Sequence, residues 1–280
     1  AQQPNMTQVL PLDYLQFQSF YNAFQASLNK RFSSGFNVLA AYTFAKNLGN
    51  ADGNVGGFVQ NSYAAYLEHG PVAPDLRHRF SLSYLYELPV GHGRHFLGNS
   101  NGIIDAFLGG WQLAGIVAAQ TGEALNAVLS SDLSNTGSFS YRPNQVANPY
   151  NFSFDTATQA ALGCSNPGHQ TLDCWFNQAV FVAPPLAPGQ QSAHSFGNAR
   201  IGVLRGPNMV NFDLVLQKNF RIFESHQIEF RSEFFNLLNH PNFGLPGGGS
   251  SAAVDVPGGA AITNTATDNR QIEFALKYTF

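Results

Sequence analysis

Cys164 and Cys174 stand ten residues apart, with His169 between them and Trp175 immediately after. Two chemistries fit that spacing. In an oxidising compartment the thiols close a small disulfide loop; with the histidine they offer three soft metal ligands, one short of a tetrahedral zinc site. The missing fourth ligand favours the disulfide. The other histidines, His69, His78, His92, His95, His194, His226 and His240, are scattered. His92 and His95 share a Gly-rich connection with no carboxylate at ligand spacing, and His78, between Arg77 and Arg79, reads as a residue at a strand boundary. Gly247 to Gly249 lack the following Lys of a phosphate cradle. No HExxH, GxSxG, Walker loop or complete GxGxxG occurs. The expectation is a chain with no catalytic residues, no cofactor and no metal. Charge gathers at Glu229, Arg231 and Glu233, which with Gln227 recur at every second position and so share one face of a strand. They read either as a plain solvated face, the simpler option, or as the wall of a water-filled lumen that meets a solute or an internal plug.

The element that would position such groups is clearest at the C-terminal end. Ile272, Phe274, Leu276, Tyr278 and Phe280 alternate with Gln271, Glu273, Ala275, Lys277 and Thr279. A strand with five large apolar groups on one side and mostly polar ones on the other borders something greasy and something wet. In a membrane-spanning β-barrel these are lipid and lumen. Six more segments repeat the pattern: Phe24, Ala26, Leu28 and Phe32; Phe36, Val38, Ala40, Tyr42 and Phe44; Phe80, Leu82, Tyr84 and Tyr86; Trp111, Leu113, Gly115, Val117 and Ala119; Phe212, Leu214, Leu216 and Phe220; Ile228, Phe230 and Phe234. Lys30 interrupts the first stripe, and Ile116 sits on the polar side of the fourth. Arg31, Gln227, Glu229, Arg231, Glu233, Glu273 and Lys277 are the lumen-facing candidates.

The connections predicted between these strands sort by length. Ser33 to Gly35, Pro89 to Gly110 and Phe223 to Ser225 are short or intermediate. Lys46 to Leu76, Gly122 to Met209 and the segment holding Gly247 to Gly249 are long, rich in Gly, Asn, Ser and Pro, and read as floppy exterior surface loop with one short helix near Thr156 to Leu162. Outer-membrane barrels have this asymmetry, short turns facing the periplasm and long loops facing outward. Aromatics at the strand ends, Phe32, Phe36, Phe44, Tyr86, Trp111, Phe220, Tyr278 and Phe280, would form interfacial girdles. The competing reading is a soluble β-sandwich, whose inner faces also alternate; length-sorted connections and terminal aromatics weigh against it.

Composition agrees. Charged residues make up 11% of the chain, against roughly 25% in ordinary soluble domains, while aromatics reach 13% with 25 Phe. Mean hydropathy is only −0.12, as expected where half the strand positions and all the loops are wet. A net charge of −3 argues against nucleic acid as a partner. Ala106 to Gly122 is uncharged but holds four glycines and two glutamines, short of the roughly 20 apolar residues of a membrane helix. Ala1 opens with no leader pattern, so the expectation is a cleaved leader or a start inside a longer protein. The fold class expected is all-β: an antiparallel transmembrane barrel, here about seven strands forming an open, curved segment of a larger barrel. Residues 1–20 are read as an irregular lead-in and 21–280 as barrel strands and loops.

Several phrases then resemble a known family. YNAFQASLNKRFSSGFNVLAAYTFAKNL, DLRHRFSLSYLYELPVGHGR, GGWQLAGIVAAQTG, RPNQVANP, CWFNQAVFVAPP, FGNARIGVLRGPNMVNFDLVLQKNF and IEFRSEFFNLLNHPNFG are similar to the C-terminal barrel of TonB-dependent receptors of the Oar-like type, common in acidobacteria and related to carboxypeptidase-regulatory-domain proteins. The resemblance runs from about Tyr21 onward. It implies a bacterial outer-membrane barrel of about 22 strands around a plug, energised through TonB; neither plug nor TonB-contacting segment is found in these residues. It also implies that Phe280, with Ile272, Phe274, Leu276 and Tyr278, is the signal read by the barrel-assembly machinery. The partners implied are outer-membrane lipid, that machinery, the plug, TonB and a transported ligand that aromatic and amide-rich loops leave open among sugars, peptides and chelated iron. The alternative function is a structural or adhesive barrel that transports nothing.

Overall fold

The computed structural model describes residues 18–33, 35–50, 60–61, 64–99, 102–134, 141–186, 188–189, 193, 195–222, 226–249 and 251–280. Strands form where the two-residue alternation runs: β1 (Ser19–Ser33), β2 (Phe36–Gly49), β3 (His78–Glu87), β4 (Trp111–Gln120), β5 (Met209–Arg221), β6 (Gln227–Phe235) and β7 (Gln271–Thr279). These seven lie side by side in chain order, each neighbouring pair antiparallel. A two-residue strand, Gly70–Pro71, extends the far end of β2. Among the described residues β1 and β7 pair on one side only, so the sheet is open.

Register turns separate stripes into one surface. A slip of one residue between any two strands would send one stripe to the opposite face. Instead, one row of partners reads Lys30, Val38, Tyr84, Gly115, Leu214, Phe234 and Ile272 across all seven strands, and the next reads Phe36, Tyr86, Leu113, Leu216, Ser232 and Phe274. This face is apolar and uncovered at its edges: Phe24 is 62% exposed, Phe274 70% and Leu276 72%. A sandwich would bury these side chains against a second sheet, and no such layer exists among the described residues. Gly115 permits the tightest contact on the face, because a Cβ there would lie 2.6 Å from the Tyr84 ring.

Alternation along an antiparallel meander places the connections between β1 and β2, β3 and β4, and β5 and β6 at one end. The turn expected at Phe223 to Ser225 lies outside the described residues; beside it Ile222 N–H donates to His226 O at 3.0 Å. The connection from β3 to β4 contains a short helix, α1 (Gly102–Leu108). At the other end stand the three long connections.

The expectation of floppy exterior loops fails for the described parts of those connections. Leu125, Leu129, Phe176, Val180, Leu204, Val254 and Ala260 form one buried cluster drawn from the second and third connections. Ser251–Ala253 pairs in parallel with Ala124–Val128, which pairs antiparallel with Leu204–Arg205. The helix expected near Thr156 is present as α2 (Thr156–Ala161), capped by the Asp155 carboxylate on Thr158 N–H. Sequence periodicity misses this cap because most of its backbone is irregular and its polar groups are satisfied by buried amides rather than by ladders. Gln178 Nε2 donates to Val254 O at 3.1 Å and Val256 O at 2.8 Å, while Oε1 accepts from Ala260 N–H at 3.2 Å. Asn177 Nδ2 donates to Asn151 O and Phe154 O, and Gln159 Nε2 to Phe152 O and Phe154 O.

Candidate functional site

The sheet's second face is the candidate site, and its chemistry follows from the same register. One row runs Glu87, Gln112, Gln217 and Arg231 across β3 to β6. Gln217 Nε2 donates to Gln112 Oε1 at 2.6 Å, and Gln112 Nε2 to Glu87 Oε1 at 3.4 Å. Arg94, from the short-connection end, reaches Glu87 at 3.3 Å. On β6 and β7, Glu229 stands opposite Lys277 and Gln227 opposite Thr279. Glu233 faces Glu273, a like-charged pair, and Arg231 Nε sits 2.5 Å from Glu233 Oε1 to offset it. Thus Gln227, Glu229, Arg231, Glu233, Glu273 and Lys277 share one wall. Arg31 does not join them by pairing: it falls where β1 slips register against β2, between Lys30 and Ser33, and is exposed.

Two hollows lie on this wall. One, of about 450 Å³, is lined by Asn37, Ser83, Ile116, Asp213, Arg231 and Glu233 among others. The second, about 230 Å³, opens at the long-connection end among Asn211, Asn236, Thr267, Asp268 and Gln271, and shares Asp213 and Phe235 with the first. Asp213 Oδ1 accepts from Asn236 N–H at 2.8 Å and Asn211 Nδ2 at 2.9 Å. Carboxylates and amides stand there beside Leu85, Ile116, Val215 and Phe235, so the lining mixes polar and apolar groups. Sequence reasoning missed Asp213 and Phe235 as site residues. The available signals were Ile116 and Val215, apolar side chains on the wet face of otherwise alternating strands, which mark where that face is not simply solvated.

The cap is joined to the rim by charge. Asp75 is buried; its Oδ1 accepts Asn47 N–H of β2 at 2.7 Å, and its Oδ2 lies 2.5 Å from Arg205 Nη2 of the cap. Arg142 of the cap meets Glu68 of the first connection at 2.7 Å, both side chains buried. Burial pushes the Glu68 carboxyl up and the Arg142 guanidinium down, each countered by the other's charge. Gly202, at φ +61°, lets the cap backbone approach Pro71 so closely that a Cβ would lie 2.1 Å from Pro71 O.

The remaining expected residues fall as follows. Cys164 and Cys174 form a disulfide in the cap with Cα atoms 5.3 Å apart. His169 is exposed, and among the described residues no group of three or more His, Cys, Asp or Glu side chains is arranged to hold a metal ion. His78 packs on the apolar face, 5.1 Å from the Phe44 ring, with Nδ1 2.7 Å from Tyr42 Oη. His92 meets a carboxylate through its backbone: its N–H donates to Asp105 Oδ1 at 2.5 Å. Ile272, Phe274, Leu276 and Tyr278 lie on the apolar face of β7, Phe280 follows its last residue, and all five are exposed. At the short-connection end Phe36 and Tyr86 meet edge to face at 5.7 Å, as do Trp111 and Phe230 at 6.1 Å, giving that rim an aromatic belt.

An uncovered apolar face, a polar opposite face and length-sorted connections are the geometry of a barrel wall in a membrane. The sequence matches the outer membrane beta barrel domain family over residues 2–273. The chain belongs to this family. No curated protein and no solved structure matches it. The barrel resides in the bacterial outer membrane. No helix among the described residues is long and apolar enough to cross a membrane, and the barrel crosses with strands.

Proposed function

We propose that this chain is the C-terminal barrel portion of a TonB-dependent, Oar-like receptor and takes part in ligand capture and active uptake across the outer membrane. The observation that carries this reading is a sheet face bearing charged and amide side chains and two adjoining hollows, with a folded cap tied to the strand ends. A folded cap can present a capture surface, and the hollows below it can offer a solute a series of weak sites. Among the described residues β1 and β7 pair on one side only, which supports a larger barrel, because backbone groups left open in hydrocarbon are strongly unfavourable and closure by further strands satisfies them. The motif resemblance supports the receptor type. On this reading the barrel strands begin with β1 at Ser19, two residues before the expected boundary; the apolar face meets lipid, the polar face lines the lumen, and α1 stands at the periplasmic rim with the folded cap outside; the partners are lipid, the assembly machinery, a plug, TonB and the ligand, and the chain performs no catalytic step.

Cells carrying the whole gene, with and without functional TonB, test it with a panel of labelled oligosaccharides, peptides and ferric siderophores. Accumulation of one class only where TonB functions is expected. Surface binding without accumulation in either background would replace this reading with the adhesive one, which the exposed Tyr66 and Leu172 of the exterior connections favour.

A further inference from the structure

The periplasmic rim carries an apolar surface that the barrel wall does not need. Helix α1 (Gly102–Leu108) buries no residue. Ile103 is 73% exposed, Phe107 70% and Leu108 51%. At 100° per residue Ile103, Ile104, Phe107 and Leu108 fall within one face of the helix, and Gly102 lies opposite. Nor does the helix hang free in the periplasm. Trp111 Nε1 donates to Phe107 O at 2.9 Å. Lys218 Nζ donates to Gly109 O and, at 3.4 Å, to Asp105 O.

Both anchors belong to the outward face of the sheet. Lys218 pairs with Trp111 and Phe230 in a lipid-facing row, and its ammonium lies 5.5 Å from the Trp111 ring centroid and 4.9 Å from that of Phe220. A lysine in that row would be unfavourable in contact with lipid. Here the carbonyls of Asp105, in the final turn of α1, and of Gly109, just past its end, take up its hydrogens, and the favourable match of a cation to a helix C-terminus fixes the helix against the outside of the barrel. The exposed face of α1 is therefore continuous with the lipid-facing surface at the level of the aromatic belt.

We propose that α1 is an interfacial anchor: its Ile103, Phe107 and Leu108 face inserts into the phospholipid of the periplasmic leaflet, with Lys218 as the clamp that holds it there. Short amphipathic segments of this kind lie in the boundary between headgroups and acyl chains. The inference rests on the barrel's seat in the membrane and not on what the barrel transports.

Nitroxide labels on Ile103→Cys, Phe107→Cys and Gly102→Cys in the whole receptor, reconstituted in phosphatidylethanolamine and phosphatidylglycerol vesicles, test it. Labels at 103 and 107 are expected to collide with oxygen several-fold more, relative to a water-soluble nickel chelate, than the label at 102. Equal, water-like accessibility at all three would overturn the proposal. Adding Lys218→Met to the Phe107→Cys protein should shift its label toward water and loosen it while heat-modifiable migration of the barrel persists. An unchanged label in that folded variant would remove the clamp from the account.

Discussion

Asp75 and Arg205, 130 residues apart in sequence, meet at 2.5 Å where the cap joins the barrel rim, and Arg205 Nη1 also donates to Asp75 O at 2.7 Å. Arg205 is in turn a hub of the cap, since its carbonyl accepts Trp175 Nε1–H at 2.8 Å and its N–H donates to Tyr150 Oη at 2.7 Å. Strand β2, the first connection and the cap core thus meet at one carboxylate. Asp75→Ala should loosen the cap by about 3 kcal/mol, the low end for breaking a buried pair because Arg205 is partly exposed. Hydrogen exchange checks it: amides around residues 200–206 should lose protection while those of β5 and β6 keep theirs.

The buried amides predict a second effect. Gln178→Leu fits the volume but leaves Val254 O, Val256 O and Ala260 N–H without their partner. Each unsatisfied buried group costs about 1–3 kcal/mol, so the variant should lower cap stability by at least that of one group. Proteolysis of the 251–262 segment reads the loss, whereas exposed amides such as Gln170 should tolerate the same change.

How much of this was legible follows from the period. In β7 every second residue announces its face, so the strand and its apolar side are readable from Ile272 to Tyr278. Glu229, Arg231 and Glu233 are readable as one wall for the same reason. The cap is not, because Phe176, Leu204 and Val254 come from segments of no period and are joined by Asn177 and Gln178, whose amides look like ordinary loop residues until their partners are known. Lys218 escapes too: it breaks its stripe, and the helix carbonyls that make it tolerable lie over one hundred residues earlier.

The cap's small loop should respond to pH. Hydrogen bonds from Ser165 and then Thr171 hold the Asp173 carboxyl at about 2, below its usual 3.8. A depressed folded value means stabilisation present above the unfolded value and lost as pH falls through about 2. The melting difference between wild type and Asp173→Asn should be full above pH 3.8 and close toward pH 2. Superimposable curves at pH 6 would contradict the role.

Phe280 separates assembly from stability. It is 86% exposed, so Phe280→Ala removes little buried area and should leave the melting temperature of assembled protein unchanged. If assembly machinery reads this residue, the amount reaching the outer membrane should nevertheless fall several-fold, measured by quantitative blotting of membrane fractions. A fall in melting temperature with normal amounts would reverse the assignment.

A barrel wall seated in the membrane requires that its apolar stripes be bathed in lipid. Single cysteines at Phe274, Ala275, Leu276 and Lys277 of the whole protein in outer-membrane vesicles, treated with a water-soluble maleimide small enough to enter the lumen, test it directly. Labelling should alternate, fast at 275 and 277 and at least tenfold slower at 274 and 276, with the slow pair quenched by lipid-borne probes. Rapid aqueous labelling at 274 and 276, or protection there without contact with lipid probes, would contradict it.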